Sequence, residues 1–221
     1  MIALIDYGSG NLRSVEKALK KVGANVRVVT HPDEISEAEG VVLPGVGAFD
    51  DCLNALRKQE ISAAVKNFIQ TGRPFLGICV GYQALFEQSE EFNSCAAGLK
   101  IFPGRVRRFS ENADLKIPQI GWNQIEIVQP ECPLYRGIPS GSYVYFVHSF
   151  FPEPSDPSIV ATRTNYGESF ASSVWRENIF ATQFHPEKSQ EVGLQILKNF
   201  TEICEGKISF AAKNSPREVT V

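Results

Sequence analysis

Hydrophobic residues in the first half of the chain alternate between short apolar runs and helical spacing. The apolar runs predict strands, and they lie at residues 2–5, 26–29, 41–43 and 74–78. Between them, segments 11–22, 51–70 and 82–87 have the three- or four-residue spacing of amphipathic helices. Strands separated by helix-length segments are typical of an α/β fold with a mostly parallel central sheet flanked by helices.

The second half has a different pattern, because its apolar residues fall in β-rich runs separated by Pro and Gly. The runs lie at residues 105–109, 123–128, 143–150, 159–164, 170–176 and 179–183. They predict an added antiparallel, β-rich segment. A last helix follows Ser189, which can cap it. We therefore expect a single domain over residues 1–205 and a polar C-terminal tail over residues 206–221.

Composition excludes several classes of protein. The chain has 221 residues, 43% of them apolar, and a formal net charge of -3, which fits a globular domain. No basic tract is longer than Arg105–Arg108, so nucleic acid is not an expected partner. No apolar run is long enough to predict a membrane span, and the N-terminus does not resemble a signal peptide.

The cysteine and histidine content points to free thiols. Five scattered cysteines without a Cys-x-x-Cys pair, together with only three histidines, favour a reducing cytoplasm over a disulfide framework or a zinc site. We expect no metal and no other cofactor.

The segment Pro74–Gln83 carries the strongest chemical signal. An apolar strand leads into Gly77-x-Cys79-x-Gly81 and then into a helix. A side chain on so tight a turn has a strained backbone, and a Cβ on its neighbours would collide with the turn. The turn exposes the thiol, and the helix N-terminus stabilises its thiolate. A free cysteine is more often a small buried apolar residue, so this motif alone does not identify a nucleophile.

His185-Pro186-Glu187 supplies the groups that a cysteine nucleophile needs. Imidazole can remove the proton from a thiol and later donate one to a leaving group, and a carboxylate can orient the ring. Alone, His185 would be interpreted as a turn residue at a strand end. Combined with the cysteine motif, the pair predicts a catalytic triad of Cys79, His185 and Glu187.

The Gly-rich segment Pro44–Phe49 also follows a predicted strand. Acyl transfer needs N–H donors aimed at the developing oxyanion. The backbone N–H of Val80 is one candidate donor, and that of Val46 or Gly47 is another. Taken alone, the segment is simply a Gly-rich turn.

Two sets of motifs resemble known proteins. Gly77–Gln83 together with Phe184–Ser189 resembles the class I (triad) glutamine amidotransferases. Four further segments resemble the glutaminase subunits of imidazole glycerol phosphate synthase, and they are Asp6–Leu12, Pro44–Phe49, Gly121–Asn123 and Tyr145–Phe150. The resemblance runs from about residue 2 to about residue 204 and implies a flavodoxin-like fold.

The resemblance also implies roles for individual residues. Cys79 would attack the side-chain amide of glutamine, His185 would move the proton and Glu187 would orient the ring. The glutamine would be held by Gln83, Glu91 and the backbone near Ser149 and Phe150.

A second protein is implied as well. In the family, ammonia passes through a channel to a (βα)8-barrel cyclase subunit in a heterodimer of histidine biosynthesis. A barrel needs about 250 residues, so this chain cannot contain it. By resemblance, the interface would include Asn11, Trp122, Tyr145 and Lys188. From sequence alone, the alternative for Trp122 is a buried core aromatic residue, although an interface position is favoured because Trp is enriched at interfaces. The alternative for Lys188 is a solvated lysine.

Val46 suggests regulation, because many related enzymes have glycine at this position. The Cβ of Val46 restricts the peptide. We hypothesise that its N–H points away from the oxyanion until the partner and the ribonucleotide bind.

Three alternatives remain open on the sequence. The same chemistry could serve a paralogous synthase of sugar amidation or of the pyridoxal phosphate pathway. The chain could be an inactive scaffold, which the intact triad disfavours, or a cysteine protease, which Gln83 disfavours.

Overall fold

A mixed sheet of nine strands forms the centre of the molecule in the computed structural model, which describes residues 1–8, 11–91, 94–110 and 115–210. Its order is β2-β1-β3-β4-β12-β11-β10-β7-β8, and a small sheet has the order β5-β6-β9. The strands are β1 Ile2–Ile5, β2 Val26–Val29, β3 Gly40–Gly45, β4 Phe75–Cys79, β5 Gln88–Ser89, β6 Gly104–Arg108, β7 Gln119–Ile127, β8 Ser142–His148, β9 Phe150–Pro154, β10 Val160–Tyr166, β11 Glu168–Arg176 and β12 Ile179–Thr182.

Six α-helices accompany the strands in the described ranges. They are α1 Leu12–Lys21, α2 Pro32–Ser36, α3 Phe49–Lys58, α4 Ile61–Gln70, α5 Val80–Gln83 and α6 Gln190–Cys204. None of the helices within these ranges is long and apolar enough to cross a membrane. The predicted α/β class with an added antiparallel segment is confirmed.

The parallel half of the sheet positions the candidate nucleophile. Strands β2, β1, β3, β4 and β12 are parallel neighbours. Every residue of β1, β3 and β4 is buried, as continuous apolar strands covered on both faces should be. In the register, Gly45 at the end of β3 lies beside Cys79 at the end of β4. The carboxyl ends of parallel strands are where ligands bind in such sheets.

The β-rich half continues the same sheet and corrects three expectations. Run 179–183 was expected to be antiparallel, but β12 is antiparallel only to β11 and is parallel to β4. Run 143–150 is two strands, β8 and β9, which break at Ser149 and join different sheets. Strand β7 begins at Gln119, four residues before the predicted start, so it includes Trp122.

The helices differ from the prediction at their boundaries. Segment 51–70 is divided into α3 and α4, because Glu60 has a left-handed φ of 61°. Helix α5 begins at once after Cys79 and ends at Gln83, before the predicted end at residue 87. In the predicted tail, Ile208 is buried and the Phe210 ring centroid lies 6.1 Å from that of Phe180. The rest of the predicted tail, residues 211–221, lies outside the described residues.

Phe180 on β12 lies in the part of the core that supports the strands of the site. Its ring is fully buried and lies 6.4 Å from Trp175 and 6.3 Å from Phe200. We expect Phe180→Ala to lower the free energy of unfolding by about 3–5 kcal/mol, because the lost ring leaves a cavity. Urea titration measures this loss. The control Ile120→Ala, at a strand residue that is 63% exposed, should cost less than about 1 kcal/mol. Equal losses would contradict the packing argument.

Candidate active site

The turn between β4 and α5 holds Cys79 in a strained conformation. Its φ is 55° and its ψ is -110°, values that residues other than glycine rarely adopt. The backbone is also crowded, since a Cβ on Gly81 would lie 2.0 Å from the carbonyl oxygen of Leu43, and one on Gly77 would lie 2.8 Å from that of Gly81. The glycines therefore permit the close approach of β3 and α5 that the turn requires.

His185 and Glu187 form a buried pair. His185 Nδ1 lies 2.8 Å from Glu187 Oε1, and both side chains are almost fully buried. The backbone of His185 is held at both ends, because its N–H donates to the Tyr145 carbonyl at 3.0 Å and its carbonyl accepts from Ser189 Oγ at 2.7 Å. The imidazole thus has a fixed orientation.

The electrostatics of this pair depend on Cys79. Burial alone would lower the pKa of His185, but attraction to the Cys79 thiolate and to Glu187 raises that pKa to about 10. His185 is therefore an imidazolium, and so a proton donor, near neutral pH. A cysteine nucleophile beside an imidazolium is the pairing that thiol catalysis uses.

One cavity of about 380 Å³ brings the predicted site residues together. The candidate nucleophile Cys79 and the candidate base His185 line it. Its wall also holds the candidate oxyanion donors Val46, Gly47 and Val80 and the candidate glutamine-binding residues Gln83, Glu91, Ser149 and Phe150. One candidate interface residue, Lys188, completes the set. Glu187 lies behind His185 rather than in the cavity wall. The volume suits a small amino acid.

Gln83 and Glu91 present acceptors to this cavity. Gln83 Nε2 donates to the Phe150 carbonyl at 3.0 Å and to Gln183 Oε1 at 3.2 Å, so Oε1 of Gln83 is its remaining polar atom. Glu91 is half-buried, and burial raises the pKa of its carboxyl group, although a hydrogen bond from the Phe49 N–H at 2.7 Å opposes that shift. An amide oxygen and a carboxylate together suit an ammonium group.

Three of the predicted interface residues form a surface cluster beside the site. The ring centroids of Trp122 and Tyr145 lie 6.0 Å apart, and Lys188 Nζ lies 5.7 Å from the Tyr145 centroid. Trp122 is 46% exposed, so it is not a core residue. Asn11 precedes α1, which packs against the 3-10 turn Pro186–Lys188.

Two exposed apolar residues extend this cluster and were not singled out from the sequence. Ile120 is 63% and Tyr143 is 55% exposed. The β7–β8 register places them on the same face of the hairpin as Trp122 and Tyr145. We call Ile120, Trp122, Tyr143 and Tyr145 the hairpin face. The alternation in β7 could have indicated it, had the predicted strand begun early enough.

Cys52, Cys132, Cys204 and His148 are packing residues by their surroundings, whereas Cys95 is exposed. Burial raises the pKa of Cys52 and Cys132 to about 12 and that of Cys204 further. Burial lowers the pKa of His148 to about 3, so its ring is neutral and is held by the Phe150 carbonyl at 2.8 Å. Among the residues that the structure describes, no group of three or more His, Cys, Asp or Glu side chains could hold a metal ion.

Comparisons with known proteins give a consistent set of relatives. The family described as "Glutamine amidotransferase class-I" matches residues 3–204. The chain is 51% identical over 208 residues to the "Imidazole glycerol phosphate synthase subunit HisH" of Syntrophotalea carbinolica, a match that covers 92% of this chain and 100% of that protein. It is also 51% identical over 204 residues to the protein of the same name from Geobacter metallireducens, with 90% of this chain and 96% of that one covered.

A solved structure shares the fold at much lower identity. PurLQS from Thermotoga maritima superposes with a TM-score of 0.72 at 18% identity, covering 94% of this chain and 98% of that chain. This likeness supports the fold alone.

The dependence of His185 on Cys79 gives a testable pH effect. The folded-state pKa of about 10 exceeds the ordinary 6.5. Protonated His185 therefore stabilises the fold fully below pH 6.5, and this contribution is lost as the pH rises towards 10. We expect Cys79→Ala to lower the pKa of His185 by at least about one unit, because the neighbouring negative charge is removed.

NMR titration of the imidazole signals between pH 5 and pH 11 measures this shift. The His148 signals serve as the internal control, since this buried ring should remain neutral in both proteins. An unchanged His185 midpoint in Cys79→Ala would contradict the thiolate–imidazolium pair.

Proposed function

Because the chain belongs to the class I glutamine amidotransferases, and within them to the HisH subunits of imidazole glycerol phosphate synthase, we propose that Cys79, His185 and Glu187 carry out its glutaminase reaction. The chain is a glutamine amidotransferase that acts as the glutaminase subunit in histidine biosynthesis. The observation that most supports the triad is that the strained Cys79 turn lines one cavity with His185, whose ring is paired with the buried Glu187 behind it.

The reaction follows from the charges of the site. The Cys79 thiolate attacks the amide carbon of glutamine. The oxyanion that forms accepts hydrogen bonds from the backbone N–H of Val80 and from that of Val46 or Gly47. The imidazolium of His185 donates its proton to the departing nitrogen, which leaves as ammonia. Neutral His185 then takes a proton from water, which attacks the thioester and releases glutamate. Glu187 keeps the ring in place throughout.

Substrate binding uses the acceptors described above. The ammonium group of glutamine lies against Glu91 and Oε1 of Gln83, and its carboxylate meets backbone N–H groups near Ser149 and Phe150. The position of these residues supports this role, because Ser149 lies at the break between β8 and β9 and both Ser149 and Phe150 line the cavity.

The chain acts together with a partner subunit, as its membership among the HisH subunits implies. We place a (βα)8-barrel cyclase, in a heterodimer, on the hairpin face with Lys188 and Asn11. An exposed aromatic and aliphatic patch beside a reaction cavity is suited to a partner that receives ammonia directly. We further propose that the complex acts in the cytoplasm and that residues 1–205 form its glutaminase domain.

Val46 remains the candidate gate. Gly45 is packed so closely that a Cβ would lie 2.7 Å from the N of Gly81, whereas Gly47 has a positive φ of 92° and no atom within 4 Å of a built Cβ. Gly47 can adopt φ values that a residue with a Cβ rarely adopts, so we propose the peptide between Val46 and Gly47 as the hinge of the gate. Binding of the partner and ribonucleotide would favour the orientation that points the N–H at the oxyanion.

Cys79→Ala separates glutaminase chemistry from the partner's reaction. In a complex with the cyclase and its ribonucleotide, we expect glutamine-dependent product to fall by more than about 10³-fold, while product from added ammonium salt remains. Glutamate release and product formation are measured together. Retained glutamine-dependent turnover would exclude Cys79 as the nucleophile.

The same assay tests the gate and the partner. Glutamate release by the unaltered chain should be slow when the chain is alone and should rise when both the cyclase and the ribonucleotide are present. Full activity of the isolated chain would contradict gating by Val46. Stimulation by a different barrel synthase would contradict the assignment of the partner.

Trp122→Ala tests the hairpin face. Trp122 is a partly exposed aromatic residue, so its loss should weaken binding of the cyclase by about 10-fold or more. Calorimetric titration measures the Kd. Val128→Ala is the matched control, because Val128 is 44% exposed but lies beyond the end of β7. Equal affinities of the two variants for the cyclase would contradict the proposal that the hairpin face is the interface.

A further inference from the structure

Gln183 lies beside the nucleophile and has no part in the chemistry described above. It is fully buried between the end of β12 and His185. Its main-chain N–H donates to the Ser172 carbonyl at 2.8 Å, which ties it to β11. Its side-chain Nε2 lies 3.7 Å from the Cys79 sulfur, within the range of an N–H···S hydrogen bond. A buried amide in contact with the reacting atom needs a role.

The orientation of this amide is determined by a main-chain carbonyl. The Phe150 carbonyl can only accept, so Gln83 must turn its Nε2 towards it, at 3.0 Å. The same Nε2 lies 3.2 Å from Gln183, which must therefore present its Oε1 there. The remaining end of the Gln183 amide is the NH₂ group, and it faces the sulfur. Strand β9 thus sets the polarity of a chain of hydrogen bonds that ends at Cys79.

An N–H that faces sulfur distinguishes between the two states of the thiol. It donates to a thiolate more strongly than to a neutral S–H, so it favours the charged nucleophile. We propose that Gln183 is a positioning residue that holds the Cys79 sulfur as a thiolate and fixes its direction of attack. The proposal rests on Cys79 being the nucleophile. It adds a second support for the thiolate, independent of His185 and connected through Gln83 to the strand that receives glutamine.

Alkylation of Cys79 tests this without glutamine or a partner. The full-length chain is treated with iodoacetamide between pH 5 and pH 10, and labelling of Cys79 and of the exposed Cys95 is followed separately by peptide mass spectrometry. Gln183→Met removes the donor at similar length, and Gln183→Asn keeps an amide that is one methylene too short to reach the sulfur. Either variant suffices if the other fails to fold, as judged by thermal melting.

We expect the midpoint of Cys79 labelling to rise by about one pH unit in both variants, which is about a tenfold slower reaction on the rising part of the curve. Labelling of Cys95 should not change. Gln119→Met is the matched control, because Gln119 is also a buried glutamine but contacts His148, at 3.0 Å. In Gln119→Met, the pH midpoint of Cys79 labelling should equal that of the unaltered chain.

An unaltered midpoint in a folded Gln183 variant would overturn the proposal and leave Gln183 a packing residue. An equal shift in Gln119→Met would also overturn it, because the effect would then be general to the core. Failure of the glutaminase assignment would appear instead in the Cys79→Ala assay, so the two failures are distinguishable.

Discussion

The close approach of β3 to the turn after β4 is the constraint on which the rest of the site depends. Gly81 lies so near the Leu43 carbonyl that no side chain fits between them. This contact pushes Cys79 into its positive φ and places the end of β3 beside the nucleophile. Parallel pairing puts both strand ends at one edge of the sheet, and β12 brings the base to the same edge. The cavity therefore depends on the register of the sheet and on the absence of a Cβ at Gly77 and Gly81.

The charges of the site are stable only as a set. A buried imidazolium or a buried thiolate alone would be costly, because burial penalises each charge. Here the His185 ring lies between Glu187 and the Cys79 sulfur, and a side-chain amide approaches the sulfur from another side. Each charged group has a partner of complementary charge or polarity, which the fold holds in place before the substrate binds. Such preordered dipoles need little rearrangement when charge moves during the reaction.

The sequence predicts the parallel strands well and marks the candidate triad, because both depend on local patterns. The run Phe75–Ile78 is apolar throughout, and glycines on both sides of Cys79 leave few alternatives to a strained turn. Pairing between strands that are far apart along the chain is harder to predict from the sequence. One apolar run becomes two strands at Ser149 because β9 pairs with β6, whereas β8 pairs with β7. Likewise, β12 has a parallel neighbour only because it pairs with β4.

Gln183 shows the limit of local reasoning in the site itself. Its position at the end of a predicted apolar run, two residues before His185, was visible in the sequence, but nothing local showed that its amide would reach Cys79. Its orientation depends on Phe150 and Gln83, which are far away along the chain. Positioning residues of this kind act through contacts between several elements, whereas a nucleophile is marked by the turn that carries it.

The surface proposed for the partner and the proposed base, His185, share one structural element. Tyr145 presents its ring on the hairpin face, while its main-chain carbonyl accepts from the N–H of His185 and its own N–H donates to Ser189 Oγ. Ser189 Oγ in turn donates to the carbonyl of His185. A displacement of β8 by a docked subunit would therefore move the base relative to Cys79 without passing through a loop. Three hydrogen bonds of 2.7–3.0 Å make this connection, so the hairpin face and His185 belong to one hydrogen-bonded unit.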